Sequence, residues 1–163
     1  MSRLDSFIRR MSAQRDCLNA APTLIAHVHG PVLELGLGNG RTFDHLRGLF
    51  PDREIFVFDR VLTAHPDCVP DAAHFFLGEL EETLPRAAAR LGRTCALAHA
   101  DLGSGRPERD ARTVAVLGPG LESLVRPGGV ILSDQRLDRP AFAPLPLPPG
   151  VAEGRYHLYR VSV

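Results

Sequence analysis

The sequence predicts an α/β protein whose single domain contains a doubly wound, mostly parallel sheet. Short apolar segments alternate with stretches of helical periodicity, a pattern typical of parallel strands joined by right-handed helical crossovers. Several of these segments end at or just before an acidic residue. Because ligands bind at the carboxyl ends of such strands, we expect the functional residues to gather along one rim of the sheet.

Length and charge limit the functions that this chain can have. A chain of 163 residues suits one domain that buries about two thirds of its unfolded surface. All 19 basic residues are arginine and the formal net charge is zero. No basic run is interleaved with aromatic residues, so we expect a small-molecule substrate and no nucleic-acid partner. The absence of lysine excludes a pyridoxal-phosphate Schiff base and a lysine general base.

The cysteines and the N-terminus indicate the compartment. Cys17, Cys68 and Cys95 form no C-x-x-C pair, which argues against a zinc site and against a disulfide framework. The first residues lack the apolar core of a signal peptide, and no stretch approaches the roughly 18 apolar residues that span a bilayer. We therefore expect a cytoplasmic protein without a membrane partner.

An N-terminal helical cap is predicted over residues 1–28, with an amphipathic helix from about residue 3 to residue 20. Apolar residues at positions 4, 7, 8, 11 and 18 share one helical face. Arg15 lies near the centre of that stripe and Gln14 at its edge. Arg15 could simply extend its stem over apolar surface. Alternatively, the helix covers a ligand site and Gln14 or Arg15 reaches into it.

The segment 31–40, PVLELGLGNG, is the most informative part of the sequence. Its apolar strand leads into a turn whose glycines permit positive φ and close approach of a ligand. A dinucleotide loop has the spacing G-x-G-x-x-G, but Arg41 stands where the third glycine belongs. Glu34 would repel a pyrophosphate and attract the cationic S-adenosylmethionine (SAM). The loop therefore favours SAM over NAD, with a ligand-free strand-to-helix turn as the plain alternative.

Acidic residues also follow the later strands. The strand predicted over 54–58 ends at Asp59, whose carboxylate could accept hydrogen bonds from ribose hydroxyls or could serve as a helix cap. Further strands are predicted over 74–77, 94–100 and 130–132. The acidic residues at or after their ends are Glu79, Asp101 and Asp134.

The C-terminal segment 139–163 is predicted to be a proline-rich loop followed by one closing strand. Prolines at 140, 144, 146, 148 and 149 disfavour a helix or a central strand. Residues 155–163 alternate well enough for a strand, which we expect to be antiparallel and at the sheet edge. The segment 126–129 predicts a turn ahead of the fifth strand.

Taken together, these motifs resemble the class I SAM-dependent methyltransferases. The matching motifs are ELGLGNG at 34–40, VFDR at 57–60, LGEL at 77–80, HADLG at 99–103 and RPGGVIL at 126–132. More narrowly, the chain is similar to a small bacterial methyltransferase family of about this length that carries an ELGLGNGRT motif. The resemblance implies a Rossmann-like fold. Members of that family usually have two strands after the fifth, so this chain implies a sheet shortened at its C-terminus.

The resemblance also implies a role for individual residues. The glycine loop would line the methionine and ribose portions of SAM, with Glu34 beneath it. Asp59 would bind the ribose hydroxyls, and Arg60 stands where an apolar residue often covers the adenine. Asp101 would face the transferable methyl group. The cofactor-binding residues implied in this way are Glu34, Gly36, Leu37, Gly38, Gly40, Asp59, Arg60, Gly78, Glu79 and Leu80.

Methyl transfer from a sulfonium mainly requires alignment of donor and acceptor and removal of a proton. Asp101 is the predicted catalytic residue, with His99 and His157 as weaker candidates. Asp101 lacks the P-P-Y continuation of enzymes that methylate DNA amines. Asp101 and Asp134-Gln135 also resemble the Mg²⁺ ligands of catechol-type O-methyltransferases, although those enzymes use a lysine that this chain lacks.

We therefore predict a SAM-dependent methyltransferase that acts on a small-molecule acceptor by in-line transfer. A non-catalytic SAM-binding module and an NAD-type oxidoreductase are the alternatives. A homo-oligomer is a further expectation, because a sheet with a single closing strand would leave apolar edge surface uncovered.

Overall fold

Seven strands and four α-helices form one α/β unit in the computed structural model, which describes residues 2–162. The strands are β1 (Val32–Leu35), β2 (Ile55–Asp59), β3 (Phe75–Leu77), β4 (Cys95–Ala100), β5 (Val125–Ser133), β6 (Phe142–Pro144) and β7 (His157–Val161). The helices are α1 (Arg3–Leu24), α2 (Arg41–Leu49), α3 (Leu80–Leu91) and α4 (Pro107–Leu124). Two short 3₁₀ turns, Pro66–Cys68 and Ala72–His74, precede β3.

The strand order confirms the predicted doubly wound fold. The sheet runs β3-β2-β1-β4-β5-β7-β6, and β1 to β5 are parallel while β7 is antiparallel to both of its neighbours. From β1 the chain proceeds outward to β2 and β3 and then returns to β4 on the other side of β1. The carboxyl ends of β1 and β4 therefore flank the crevice in which open α/β sheets bind ligands.

The sheet is not shortened at its C-terminus, which corrects the sequence prediction. The proline-rich segment contains β6, a strand of three residues that pairs with β7 alone. Proline is tolerated there because an edge strand leaves one row of backbone groups unpaired. The antiparallel closing strand β7 therefore lies inside the sheet, between β5 and β6. The expectation of a homo-oligomer loses the support that it drew from a shortened sheet.

The predicted turn at 126–129 is part of β5. Cys95 of β4 pairs with Val125, and the next pairs along begin at Leu97 and Val130. Residues 126–129 therefore stand opposite Ala96 alone, which makes them a bulge within a strand. The proline and two glycines mark an irregularity in the sheet, not a boundary of the strand.

Helix α1 is longer than predicted and buries a different face. Its N-cap is Ser2, which forms a capping box with Asp5, and it continues through Pro22 to Leu24. The buried residues are Ala13, Gln14, Cys17, Leu18 and Ala21. Leu4, Phe7 and Ile8 of the predicted stripe are exposed. The first half of α1 therefore extends beyond the apolar core.

The core lies on both faces of the sheet, because successive residues of a strand point to opposite sides. Leu33 and Leu35 of β1 pack in a cluster with residues of α3 and α4, whereas Val32 packs in a cluster with residues of α1 and α2. Glu34 alternates with Leu33 and Leu35 and is fully buried, so it points to the side of α1 and α2. The register pairs it with His99 of β4.

Candidate functional site

A cavity of about 710 Å³ lies over the carboxyl ends of β1 to β4, within the range of about 300–1,000 Å³ that is usual for small-molecule sites. Its wall includes the glycine loop, the ends of the strands, the first half of α1 and the first turns of α4. Of the residues predicted for the site, those on the wall are Gly36, Leu37, Gly38, Asp59, Arg60, Gly78, Glu79, Leu80 and Asp101.

The glycine loop packs closely against the protein at Gly36 and is open to the cavity at Gly38. A Cβ atom at Gly36, whose φ is +96°, would lie 2.5 Å from the carbonyl oxygen of Asp101. A Cβ atom at Gly38 would meet no atom within 4 Å, so that backbone is open toward the cavity. The Gly38 N–H donates a hydrogen bond of 2.9 Å to Asp59 Oδ2. The end of β2 therefore holds the loop that follows β1.

Two predicted cofactor residues, Glu34 and Gly40, do not line the cavity. Gly40 is the N-cap of α2 with φ of 90°, and a Cβ atom there would lie 2.3 Å from Cβ of Cys68. Its role is therefore to turn the backbone where α2 begins. The Glu34 carboxylate is buried behind the loop, where it accepts hydrogen bonds from the Thr42 hydroxyl and the His99 ring.

Helix α1 covers the site and Gln14 reaches into it, as one of the two sequence interpretations proposed. Gln14 is 5% exposed, and its Nε2 donates a hydrogen bond of 2.7 Å to Asp101 Oδ2. Arg15 is exposed and pairs with Asp16. The apolar stripe on which Arg15 was centred is therefore not the buried face of α1, which is formed by Ala13, Gln14, Cys17, Leu18 and Ala21.

A buried hydrogen-bonded chain runs behind the cavity. His99 Nδ1 lies 2.5 Å from Glu34 Oε2, and His99 Nε2 lies 2.5 Å from the hydroxyl of Tyr156. His99 and Glu34 are fully buried and Tyr156 nearly so. His99 therefore cannot touch a substrate directly, which fits a structural role better than a catalytic one. No motif of the sequence marks Tyr156, so it was not among the predicted residues.

The charges along this chain shift its pKa values. Burial lowers the pKa of His99, but the carboxylates of Glu34, Asp101 and Asp134 together raise it above its ordinary value. Burial also raises the pKa of Tyr156 well above its ordinary range, and the neighbouring Gln14 amide opposes that rise. The carboxylates therefore favour the protonated form of His99, which burial opposes, and burial favours the neutral phenol of Tyr156.

The loop after β4 is held by Asp134. The carboxylate of Asp134 accepts hydrogen bonds from the backbone N–H of Leu102 at 3.2 Å and of Gly103 at 2.8 Å. Burial and the charge of Asp101 raise the pKa of Asp134. Asp134 and Gln135 do not line the cavity. Across residues 2–162, no cluster of three or more His, Cys, Asp or Glu side chains is placed to hold a metal ion.

The cavity wall carries charges of both signs. Its acidic residues are Asp59, Glu79, Glu81 and Asp101, and its basic residues are Arg10, Arg41, Arg60, Arg109 and Arg112. Arg10 Nη1 lies 3.8 Å from Asp101 Oδ1, and Arg60 Nη1 lies 3.9 Å from Glu79 Oε1. The acidic rim expected from the strand ends is therefore balanced by arginines, three of which come from α1 and α4.

Comparison with known proteins identifies the family. The profile of a family described as S-adenosyl-L-methionine methyltransferase matches residues 1–161. The chain belongs to this family. The methyltransferase is also similar to an S-adenosyl-L-methionine methyltransferase from Silicibacter pomeroyi DSS-3, with 45% sequence identity, a TM-score of 0.93 and coverage of 99% of both chains. It is therefore an enzyme that uses SAM as its cofactor.

More distant structures share the fold of this methyltransferase. TrmN from Thermus thermophilus has a TM-score of 0.60 at 17% identity, over 88% of this chain and 48% of that one. MycE methyltransferase of the mycinamycin biosynthetic pathway, in complex with Mg and S-adenosylhomocysteine (SAH), has a TM-score of 0.51 at 19% identity, over 93% and 48%. No protein of curated function matches the chain. None of the helices within residues 2–162 is long and apolar enough to cross a membrane.

Proposed function

We propose that this methyltransferase transfers the methyl group of SAM to a small-molecule acceptor by in-line displacement inside the cavity. The observation that carries the proposal is that the glycine loop and Asp101 lie on the wall of the same cavity of about 710 Å³. Donor and acceptor can meet there under the first half of α1. A net charge of zero gives a nucleic-acid acceptor no electrostatic support.

The cofactor would lie along the glycine loop, between the ends of β1, β2 and β3. The open backbone at Gly38 can approach the ligand without a Cβ atom in the way. Asp59 accepts the N–H of Gly38 and of Val61. Each carboxylate oxygen has two lone pairs, so Asp59 can still accept the ribose hydroxyls. Glu79 and Leu80, at the start of α3, would then lie beside the adenine.

Bound SAM supplies an electrophilic methyl group. Asp101 would accept a hydrogen bond from the O–H or N–H group of the acceptor. This contact would direct the lone pair of the acceptor atom toward the methyl group of SAM. As the new bond to carbon forms and the bond from sulfur to carbon breaks, Asp101 would take the acceptor's proton. The Asp101 side chain is 22% exposed, so the proton can pass on to solvent. SAH and the methylated acceptor are the products.

The acceptor can be found with SAM that carries an isotopically labelled methyl group, incubated with fractionated small molecules. Asp101→Asn should lower the rate of label transfer by roughly 10²-fold to 10⁴-fold and should leave SAH binding intact. Asp138→Asn is the matched control, because Asp138 is exposed and lies outside the cavity. Label transfer to nucleic acid or protein, with none to small molecules, would contradict the proposal.

Ligand binding separates the remaining alternatives. SAH at 100 times its Kd should raise the free energy of unfolding by roughly 2.7 kcal/mol, whereas NADH should have no effect. SAH binding without transfer to any acceptor would instead support a SAM-binding module.

A further inference from the structure

Six polar side chains form a series that leaves the cavity wall at Thr42, passes through the protein interior and returns to the wall at Gln14 and Asp101. Hydrogen bonds join Thr42 to Glu34, Glu34 to His99, and His99 to Tyr156. A separate hydrogen bond joins Gln14 to Asp101, and the Gln14 amide lies near enough to the Tyr156 hydroxyl to lower its pKa. Thr42, Gln14 and Asp101 lie on the cavity wall. Glu34, His99 and Tyr156 lie behind it and are buried. The chain therefore begins beside the glycine loop and returns to the cavity at Asp101.

The fold does not require this series of buried polar side chains. Glu34 and His99 lie on β1 and β4, two central strands of the sheet, and the neighbouring residues of both strands are apolar. Buried polar and charged side chains are costly to desolvate, and well-packed apolar residues often stabilise a fold as well or better. Within residues 2–162, every buried side-chain nitrogen or oxygen atom has a hydrogen-bond partner. The complete pairing indicates that the chain fixes the orientation of each member.

Gln14 is where this chain reaches Asp101. The first half of α1 is not held by the core, since Leu4, Phe7 and Ile8 are exposed. Gln14 follows the first buried residue of the helix, Ala13. Its amide donates to Asp101 and lies near the Tyr156 hydroxyl, whose pKa it lowers. A planar amide that is held at one partner can present its N–H groups to the other in only one orientation.

We propose that Gln14 is a positioning residue, which holds the carboxylate of Asp101 toward the sulfonium of SAM and is itself held by the buried chain through Tyr156, His99 and Glu34. The inference rests on the proposed function, because it uses the role assigned there to Asp101. It adds a role for residues that no motif of the sequence connects.

The test compares SAM with SAH, because SAM carries the sulfonium charge and SAH does not. The Kd of each ligand is measured by titration calorimetry, and the preference for SAM is expressed as Kd(SAH)/Kd(SAM). Gln14→Met keeps the length of the side chain and removes its amide. The variant should lower this ratio about threefold, since a displaced carboxylate attracts the sulfonium less. A merely structural role would change both Kd values equally and leave the ratio unchanged.

Two further variants test the chain and one serves as control. Tyr156→Phe removes only the hydroxyl that is bonded to His99 and lies near Gln14. It should lower the ratio as Gln14→Met does, and the double variant should lower it no further. Arg15→Met is the matched control, because Arg15 is the next residue of α1 but is exposed and pairs with Asp16. Its ratio should equal that of the wild type.

The outcomes distinguish this inference from the proposed function. Asp101→Asn removes the carboxylate charge completely, so its effect on Kd(SAH)/Kd(SAM) is the largest that displacement of Asp101 could produce. An unchanged ratio in Asp101→Asn would refute the placement of Asp101 beside the sulfonium, and with it this inference, whereas methyl transfer itself is tested by the labelled-methyl assay. A lowered ratio in Asp101→Asn, with no change in Gln14→Met, would overturn the positioning role alone. An unchanged ratio in Tyr156→Phe would overturn the part of the proposal in which Tyr156, His99 and Glu34 hold Gln14.

Discussion

The buried pair of Glu34 and His99 makes the stability of this enzyme depend on pH in a way that one substitution should reverse. Glu34 Oε2 and His99 Nδ1 are 2.5 Å apart and both side chains are fully buried. The pKa of His99 in the folded protein is raised from 6.5, so the folded state binds its proton more tightly than the unfolded state. That stabilisation is complete below about pH 6.5 and is lost as the pH rises through the raised value.

Glu34→Gln removes the main charge that holds the proton on His99 and leaves a side chain of the same shape. Burial then dominates, so the folded pKa of His99 falls below 6.5, and stability is lost as the pH falls through 6.5. At about pH 6 the variant should be less stable by about 3 kcal/mol, the lower end of the cost of breaking a buried ion pair. Where His99 is neutral in both proteins, the difference should shrink to about 1 kcal/mol.

Urea denaturation followed by circular dichroism, at pH values from about 5.5 to about 9, measures this difference. His74 also has a raised pKa, caused mainly by its hydrogen bond to Asp71 and opposed by burial. Its contribution to the free energy of unfolding is the same in the wild type and in Glu34→Gln, so it cancels in the difference between them. Glu54→Gln, which removes a partner of the partly exposed His74, is the matched control and should have a small effect. A difference between Glu34→Gln and wild type that is constant or grows with pH would refute the reasoning.

Two further predictions test the loop and the core. Gly36→Ala should lower the free energy of unfolding by roughly 1–3 kcal/mol and abolish SAH binding by calorimetry, because φ there is +96° and the new Cβ atom would lie 2.5 Å from a backbone oxygen. Gly48→Ala is its control in α2, because a Cβ atom added at Gly48 would meet no atom within 4 Å. This control should be more stable than the wild type. Equal losses of stability and of SAH binding in both variants would contradict the prediction. Iodoacetamide should label the native protein at Cys68 alone, because Cys17 and Cys95 are fully buried and burial raises the pKa of each to about 12. Mass spectrometry should find one label in the native protein and three after unfolding, and two or three labels in the native protein would contradict this.

The central strands were predictable because they are buried on both faces. Residues 94–100 were expected to form a strand, and β4 runs from Cys95 to Ala100 with every residue buried. The edge strand β6 was missed because it has only three residues among prolines that locally indicate a loop. A strand of that kind is specified by its pairing with β7 and not by its own pattern.

The part of the site that comes from strand ends could also be predicted. Asp59, Glu79 and Asp101 follow parallel strands, and the carboxyl ends of such strands meet at one rim. The cover supplied by α1 was one of two open interpretations, and the wall supplied by α4 was not predicted, because the direction of a helix over the sheet depends on packing. The stripe of Leu4, Phe7 and Ile8 even pointed to the wrong face, since apolar periodicity does not reveal which stripe meets the core.

The sequence by itself determined the succession of parallel strands along the chain, the glycine loop and the class of cofactor, because these depend on local patterns that recur at strand ends. Only the tertiary structure decided what each polar residue contacts. Glu34 appeared in the sequence as a residue beneath the cofactor, and the fold pairs it with His99, which lies 65 positions away along the chain. Gln14 meets Asp101 across 87 positions. The first contact arises from the pairing of β1 with β4 and the second from the docking of α1 onto the sheet, neither of which a local pattern of the chain records.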